Sequence, residues 1–83
     1  MNKEIEKQIG WNISKKRIEK NLTQEYVSKQ LQLLGCDITR SALAKIEVGQ
    51  RHLYPDEIIA IKKILNVSFD EIFEFDNLLI MFC

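Results

Sequence analysis

Only three glycines and one proline punctuate the 83 residues. Sandwiches and barrels need a turn every few residues, so this scarcity argues against any all-β fold. Three of the four breakers, Gly35, Gly49 and Pro55, fall at the edges of stretches with helical apolar spacing. An all-α chain is predicted, with helices over 3–20, 24–34, 40–48, 55–65 and 69–75 and no sheet of more than a short terminal strand.

Each boundary has a local cause. Ile5, Ile9 and Ile13 share one face of the first helix, and Asn21 ends it where a left-handed residue would sit. Thr23 is a good N-cap for the second helix, whose stripe is Val27, Leu31 and Leu34, and Gly35 stops it. Thr39 caps the third, with Leu43 and Ile46 inward and Gly49 after it. Pro55, Asp56 and Glu57 suit the first turn of the fourth, which buries Ile58, Ile61 and Leu65 and ends near Asn66. Ser68-Phe69-Asp70-Glu71 is a capping box for the fifth, with Val67 and Ile72 as its hydrophobic staple. The core list is Ile9, Ile13, Val27, Leu31, Leu43, Ile46, Ile58, Ile61 and Leu65.

The formal charge is zero, but its distribution is uneven. Residues 1–54 carry ten Lys/Arg and six Asp/Glu, and residues 55–83 carry two Lys and six acids. Phosphate attraction acts over about 8 Å at physiological salt, so a local basic surface suffices for nucleic acid. Cys36 and Cys83 make no disulfide framework, and with His52 they lack zinc-ligand spacing. No catalytic constellation or glycine-rich phosphate loop is visible, and neither an enzyme nor a cofactor is expected. The polar start MNKEIEKQIG is not a secretory leader, and the apolar run from Leu78 to Cys83 is too short to span a bilayer. A cytoplasmic protein is expected.

The most specific signals are Ile13 with Arg17, then Leu22-Thr23-Gln24, then Lys45-Ile46-Glu47-Val48-Gly49, and the closing Leu65 to Phe73. In this order the chain resembles the phage-repressor/Cro-like helix-turn-helix regulators of bacteria and phages, from about Ile9 to Phe73. The resemblance implies a five-helix, lambda-repressor-like DNA-binding domain with its helix-turn-helix at helices 2 and 3. It further implies a transcriptional regulator, repressor in sense, with helix 3 in the major groove. Base-reading positions would be Arg40, Ser41, Ala44 and Lys45. Thr23, Gln24, Thr39, Gln50, Arg51 and His52 would meet backbone phosphates, which position the protein without specifying sequence. Arg17 and Glu47 would form a structural ion pair.

The chain departs from the family in two places. Ser28 stands where a small residue, most often Ala, is usual, and its hydroxyl is expected on the Gln24 carbonyl. The stretch Gln32 to Ile38 lengthens the turn, and Ile38 is expected to plug the core. The same fold also serves as an antitoxin-like protein-interaction module, which is the rival reading. Residues 1–76 read as the domain and 77–83 as an apolar tail. Trp11 and Ile18 form a second apolar face on the first helix. Tail and face together suggest a homodimer on double-stranded DNA, or a tail folded back on its own chain.

Overall fold

The structure is a computed structural model that describes residues 3–75. Five helices follow in order: α1 (Lys3–Glu19), α2 (Gln24–Leu33), α3 (Arg40–Glu47), α4 (Pro55–Leu65) and α5 (Phe69–Ile72), with no strand among the described residues. The tail 77–83 lies outside them.

Four of the helices end in the same way. Asn21, Gly35, Gly49 and Asn66 all have positive φ, between 54° and 87°. At each, paired reverse hydrogen bonds close the last turn, as in Gly49 N to Ile46 O (3.1 Å) and Gln50 N to Lys45 O (2.8 Å). This arrangement satisfies carbonyls that a helix end would otherwise leave unpaired. The starts are closed by side chains. Thr23 accepts from Tyr26 N, Thr39 from Ala42 N, and Ser68 from Glu71 N while Glu71 accepts from Ser68 N.

Around these stops lies a core of Ile13, Val27, Leu31, Ile38, Leu43, Ile46, Ile61, Leu65, Val67 and Ile72, with Ala60. Ile9 and Ile58, expected inside, are only half-buried against it. They border a small cavity of about 50 Å³ beside Glu6 and Arg51.

Leu34 is a clear correction, at 53% exposed. The chain reverses at Gly35 (φ 87°), and Cys36 N returns to Leu31 O. That reversal brings Ile38 fully into the core. The lengthened turn is thus an apolar plug, and Leu34 is left outside. Ser28 also differs in detail, since its buried hydroxyl donates to Glu25 O and not to Gln24. The fifth helix is shorter than its pattern. Asn12, buried on α1, donates from Nδ2 to Ile72 O (2.9 Å) and Glu74 O (2.8 Å). The Ile72 carbonyl is therefore spent on a side chain, and the helix stops there.

α1 crosses the C-terminal end of α3 at Gly10. A Cβ on that glycine would sit 2.2 Å from Ile46 O and 2.9 Å from Glu47 C. Ala within a helix normally gains about 1 kcal/mol over Gly, but here backbone cannot yield without moving α1. Gly10→Ala is expected to cost roughly 3 kcal/mol or more. Gly35→Ala meets nothing within 4 Å and should lose only about 1–2 kcal/mol, from its left-handed backbone. Urea denaturation of the two variants checks the order, and a more stable Gly10→Ala would contradict the close crossing.

Candidate nucleic-acid interface

At about 100° per residue, Arg40, Ala44, Val48, Ser41 and Lys45 fall within an arc of about 140° on α3. Leu43 and Ile46 are buried on the opposite side, and the buried Glu47 borders the arc next to Arg40. Arg40, Ser41, Val48 and Lys45 are exposed and Ala44 is half-buried. Arg40 and Lys45 form no ion pair or side-chain hydrogen bond among the described residues. Val48, 53% exposed, was missed in the sequence. Counting four residues on from Ala44 would have found it.

A buried polar cluster holds α3 behind this face. Arg17 Nε donates to Glu47 Oε2 at 2.7 Å and its Nη2 to Oε1 at 3.0 Å. Arg17 Nη1 reaches Leu22 O at 2.7 Å. Gln24 Nε2 adds a bond to Glu47 Oε1 at 3.0 Å. The side chains of Arg17 and Glu47 are 12% and 4% exposed. One carboxylate therefore ties α1 and the first residue of α2 to the end of α3. The Gln24 tie was not anticipated, and it engages the amide that the sequence assigns to phosphate.

Thr23 and Thr39 remain exposed. Each uses its oxygen as the cap acceptor, which leaves the hydroxyl proton to donate outward. An open groove runs between Arg17, Ile18, Thr23, Gln24, Glu25 and Arg40. It joins the start of α2 to the start of α3.

Two of the loop residues are already partnered. Arg51 makes a two-pronged contact with Glu57, Nη1 to Oε1 at 3.0 Å and Nη2 to Oε2 at 3.1 Å, and also reaches His52 O. The guanidinium expected on phosphate is thus bonded to α4. His52 Nδ1 is paired with Glu6 Oε1 on α1, although His52 itself is exposed. Of the loop positions, Gln50 is the exposed one without such a partner. Partial burial and then the Asp56 and Glu57 carboxylates push the Cys36 thiol up from its ordinary value, which disfavours the reactive thiolate. No group of three His, Cys, Asp or Glu among the described residues could hold a metal ion, and none of the described helices is long and apolar enough to cross a membrane.

Burial raises the Glu57 carboxyl, but the bonds from Arg51 and the Tyr54 amide outweigh it and hold the group below its ordinary 4.5. A carboxyl depressed in the folded state contributes stability above the unfolded value, and loses it as pH falls through the folded one. Stability should therefore decline as pH drops below about 4.5, and Glu57→Gln should flatten that limb in a series of thermal melts. An unaltered acid limb would show that Glu57 is not among its causes. Arg17→Ala and Glu47→Ala should each cost roughly 3–5 kcal/mol, because either strands a charge. The double substitution should cost less than the two added together. Additive losses in chemical denaturation would mean that the pair does not act as one unit.

The Cro/C1-type helix-turn-helix family matches the chain over residues 13–72. No curated protein and no solved structure matches it. The matched segment runs from the buried Ile13 of α1 to the last residue of α5 and contains α2, the lengthened turn and α3. The chain belongs to the Cro/C1-type helix-turn-helix family of DNA-binding regulators.

Proposed function

We propose that this protein binds specific sites on double-stranded DNA as a transcriptional repressor, with α3 in the major groove. One observation carries the reading. The exposed arc of α3 presents Arg40, Ser41, Ala44, Lys45 and Val48 together, with both cations free of partners among the described residues. Arg pairs bidentately with guanine, Lys does so less rigidly, Ser is permissive, and Ala and Val suit a thymine methyl.

Phosphates flank this contact. Thr23 and the open amides at the start of α2 take one, where the helix dipole favours an anion. The Gln24 amide, steered by Glu47, has its second N–H for the same phosphate. Thr39 and Gln50 supply further positioning contacts. Occupying the groove suffices to exclude other proteins, whereas activation needs an added contact surface.

Two copies on half-sites about one turn apart, roughly 34 Å, complete the proposal. Ile18 lines the groove beside Arg40 and Thr23, so the copies meet elsewhere than at Ile18. The tail that the sequence pairs with the Trp11 face lies outside the described residues.

Selection from a random duplex pool, followed by titration of variants, tests the reading. Arg40→Ala and Lys45→Ala should each lose roughly 1–3 kcal/mol on the selected site and relax its sequence preference. Gln50→Ala should weaken selected and random duplex alike. A palindromic consensus with two chains per duplex is the expected stoichiometry. Absence of any duplex affinity at low salt would return the chain to the protein-interaction reading. Equal losses for Arg40→Ala on selected and random duplex would remove α3 from the groove.

A further inference from the structure

We propose that Lys7, near the start of α1, seats a backbone phosphate on the strand across the major groove from the one met at Thr23. The proposal rests on the reading of α3 as the helix in that groove.

α1 borders the exposed face of α3 at both ends. Lys3, Lys7, Ser14 and Ile18 lie within about 60° of one another around α1. Ile18, at one end of this stripe, lines the groove with Arg40 and Thr23. Lys3 and Lys7, at the other end, line a second groove with Val48, Gly49 and Gln50. Arg40 and Val48 both belong to the outward arc of α3, so the two grooves flank one reading face. Lys7 and Ile18 are separated by about 16 Å along the helix axis. The major groove is about 12 Å wide. A stripe that meets one strand beside Ile18 is therefore long enough to reach the other at Lys7.

The side chain of Lys7 is placed by packing. Gly49 has a φ of 79°, and a Cβ there would come within 2.7 Å of Lys7 Cγ. The absence of that Cβ lets the lysine stem lie on the turn that ends α3. An apolar stem seated in this way leaves the ammonium outward in solvent. Lys7 is exposed and makes no ion pair among the described residues. Two acids share the groove. Glu6 is engaged by His52, and Glu4 offsets one of the two lysines. Gly49 is called for in any case by its left-handed backbone, and its missing Cβ leaves the Lys7 stem beside Gln50, which the proposed function already assigns to phosphate.

Salt-dependent binding of the full chain to the selected duplex and to random duplex tests the idea. Lys7→Ala and Lys7→Gln should each lower the slope of log affinity against log salt by about 0.9 on both duplexes, with sequence preference unchanged. Lys7→Arg should restore the slope, and Lys63→Ala on α4 should leave it as it was. In a scan of single methylphosphonates, one neutral phosphate should weaken the parent chain but not Lys7→Ala. That position should fall on the strand opposite the one coupled to Thr23. Circular dichroism confirms that each variant is folded. An unchanged slope for both neutral variants, alongside lost preference in Arg40→Ala, overturns the Lys7 seat and leaves the α3 reading intact. A slope that Lys7→Arg does not restore also overturns it, since charge would not be the cause. No duplex binding by the parent chain overturns both.

Discussion

The carboxylate of Glu47 is the point on which the arrangement of the first three helices depends. An acid at a helix C-terminus opposes the helix dipole, and one that is 4% exposed also forfeits hydration. Such a group persists only when it is fully bonded. Arg17 supplies two bonds from α1, and Gln24 one from the first residue of α2. Arg17 then spends its remaining reach on Leu22 O, in the turn between those helices. None of these groups can move alone. A change in the tilt of α3 would have to break bonds to both neighbours, and no buried side-chain N or O atom among the described residues lacks a partner to absorb it. What the cluster contributes is therefore less net stability than a fixed angle between the start of α2 and the outward face of α3.

Packing reinforces this geometry from the apolar side. Gly10 lets α1 touch the backbone of α3 at Ile46 and Glu47, directly beside the ion pair. Ile38 fills the core from the lengthened turn, so the extra residues between α2 and α3 are anchored. α3 is thus held along its buried side and at its C-terminal end, while its start, capped by Thr39, projects free. A short helix fixed in this way offers its N-terminal residues to a partner without exposing the core that supports them.

Much of this was legible because the stops are chemical and local. Asn21, Gly35, Gly49 and Asn66 each announce a left-handed residue, and Thr23, Thr39 and Ser68 each announce a cap. All seven act as their residue types dictate. Errors arose where a contact outside the local helical pattern intervened. Asn12 cuts α5 short from sixty residues away in sequence. Ile38 displaces Leu34 from the stripe that helical spacing assigned to it. Arg51 and His52 were assigned to phosphates from the loop, and nothing nearby in the sequence marked Glu6 as the partner of His52. Glu57 was assigned to the dipole at the start of α4, and that assignment concealed its second role with Arg51.

Those two loop pairings change how a chain of zero net charge can attract DNA. In the loop after α3, Arg51 is engaged by Glu57 and His52 by Glu6. Two acids of the second half, Glu57 and Glu71, are also engaged. Glu57 accepts from the Tyr54 amide at the start of α4, and Glu71 from Ser68 at the start of α5 while also meeting Lys16. Bonds to the Ser68 amide, Lys16 and the Ser68 hydroxyl hold Glu71 below the ordinary carboxylate value, so it stays ionised where it is bonded. Around the outward face of α3 stand Arg40 and Lys45 on the helix and Lys3 and Lys7 beside its end, against Glu4 and Glu25 in the two flanking grooves and Asp37 ahead of Thr39. Exposed charges further than about 8 Å away are screened at physiological salt. What a phosphate meets there is therefore decided by these few side chains and not by the total of zero.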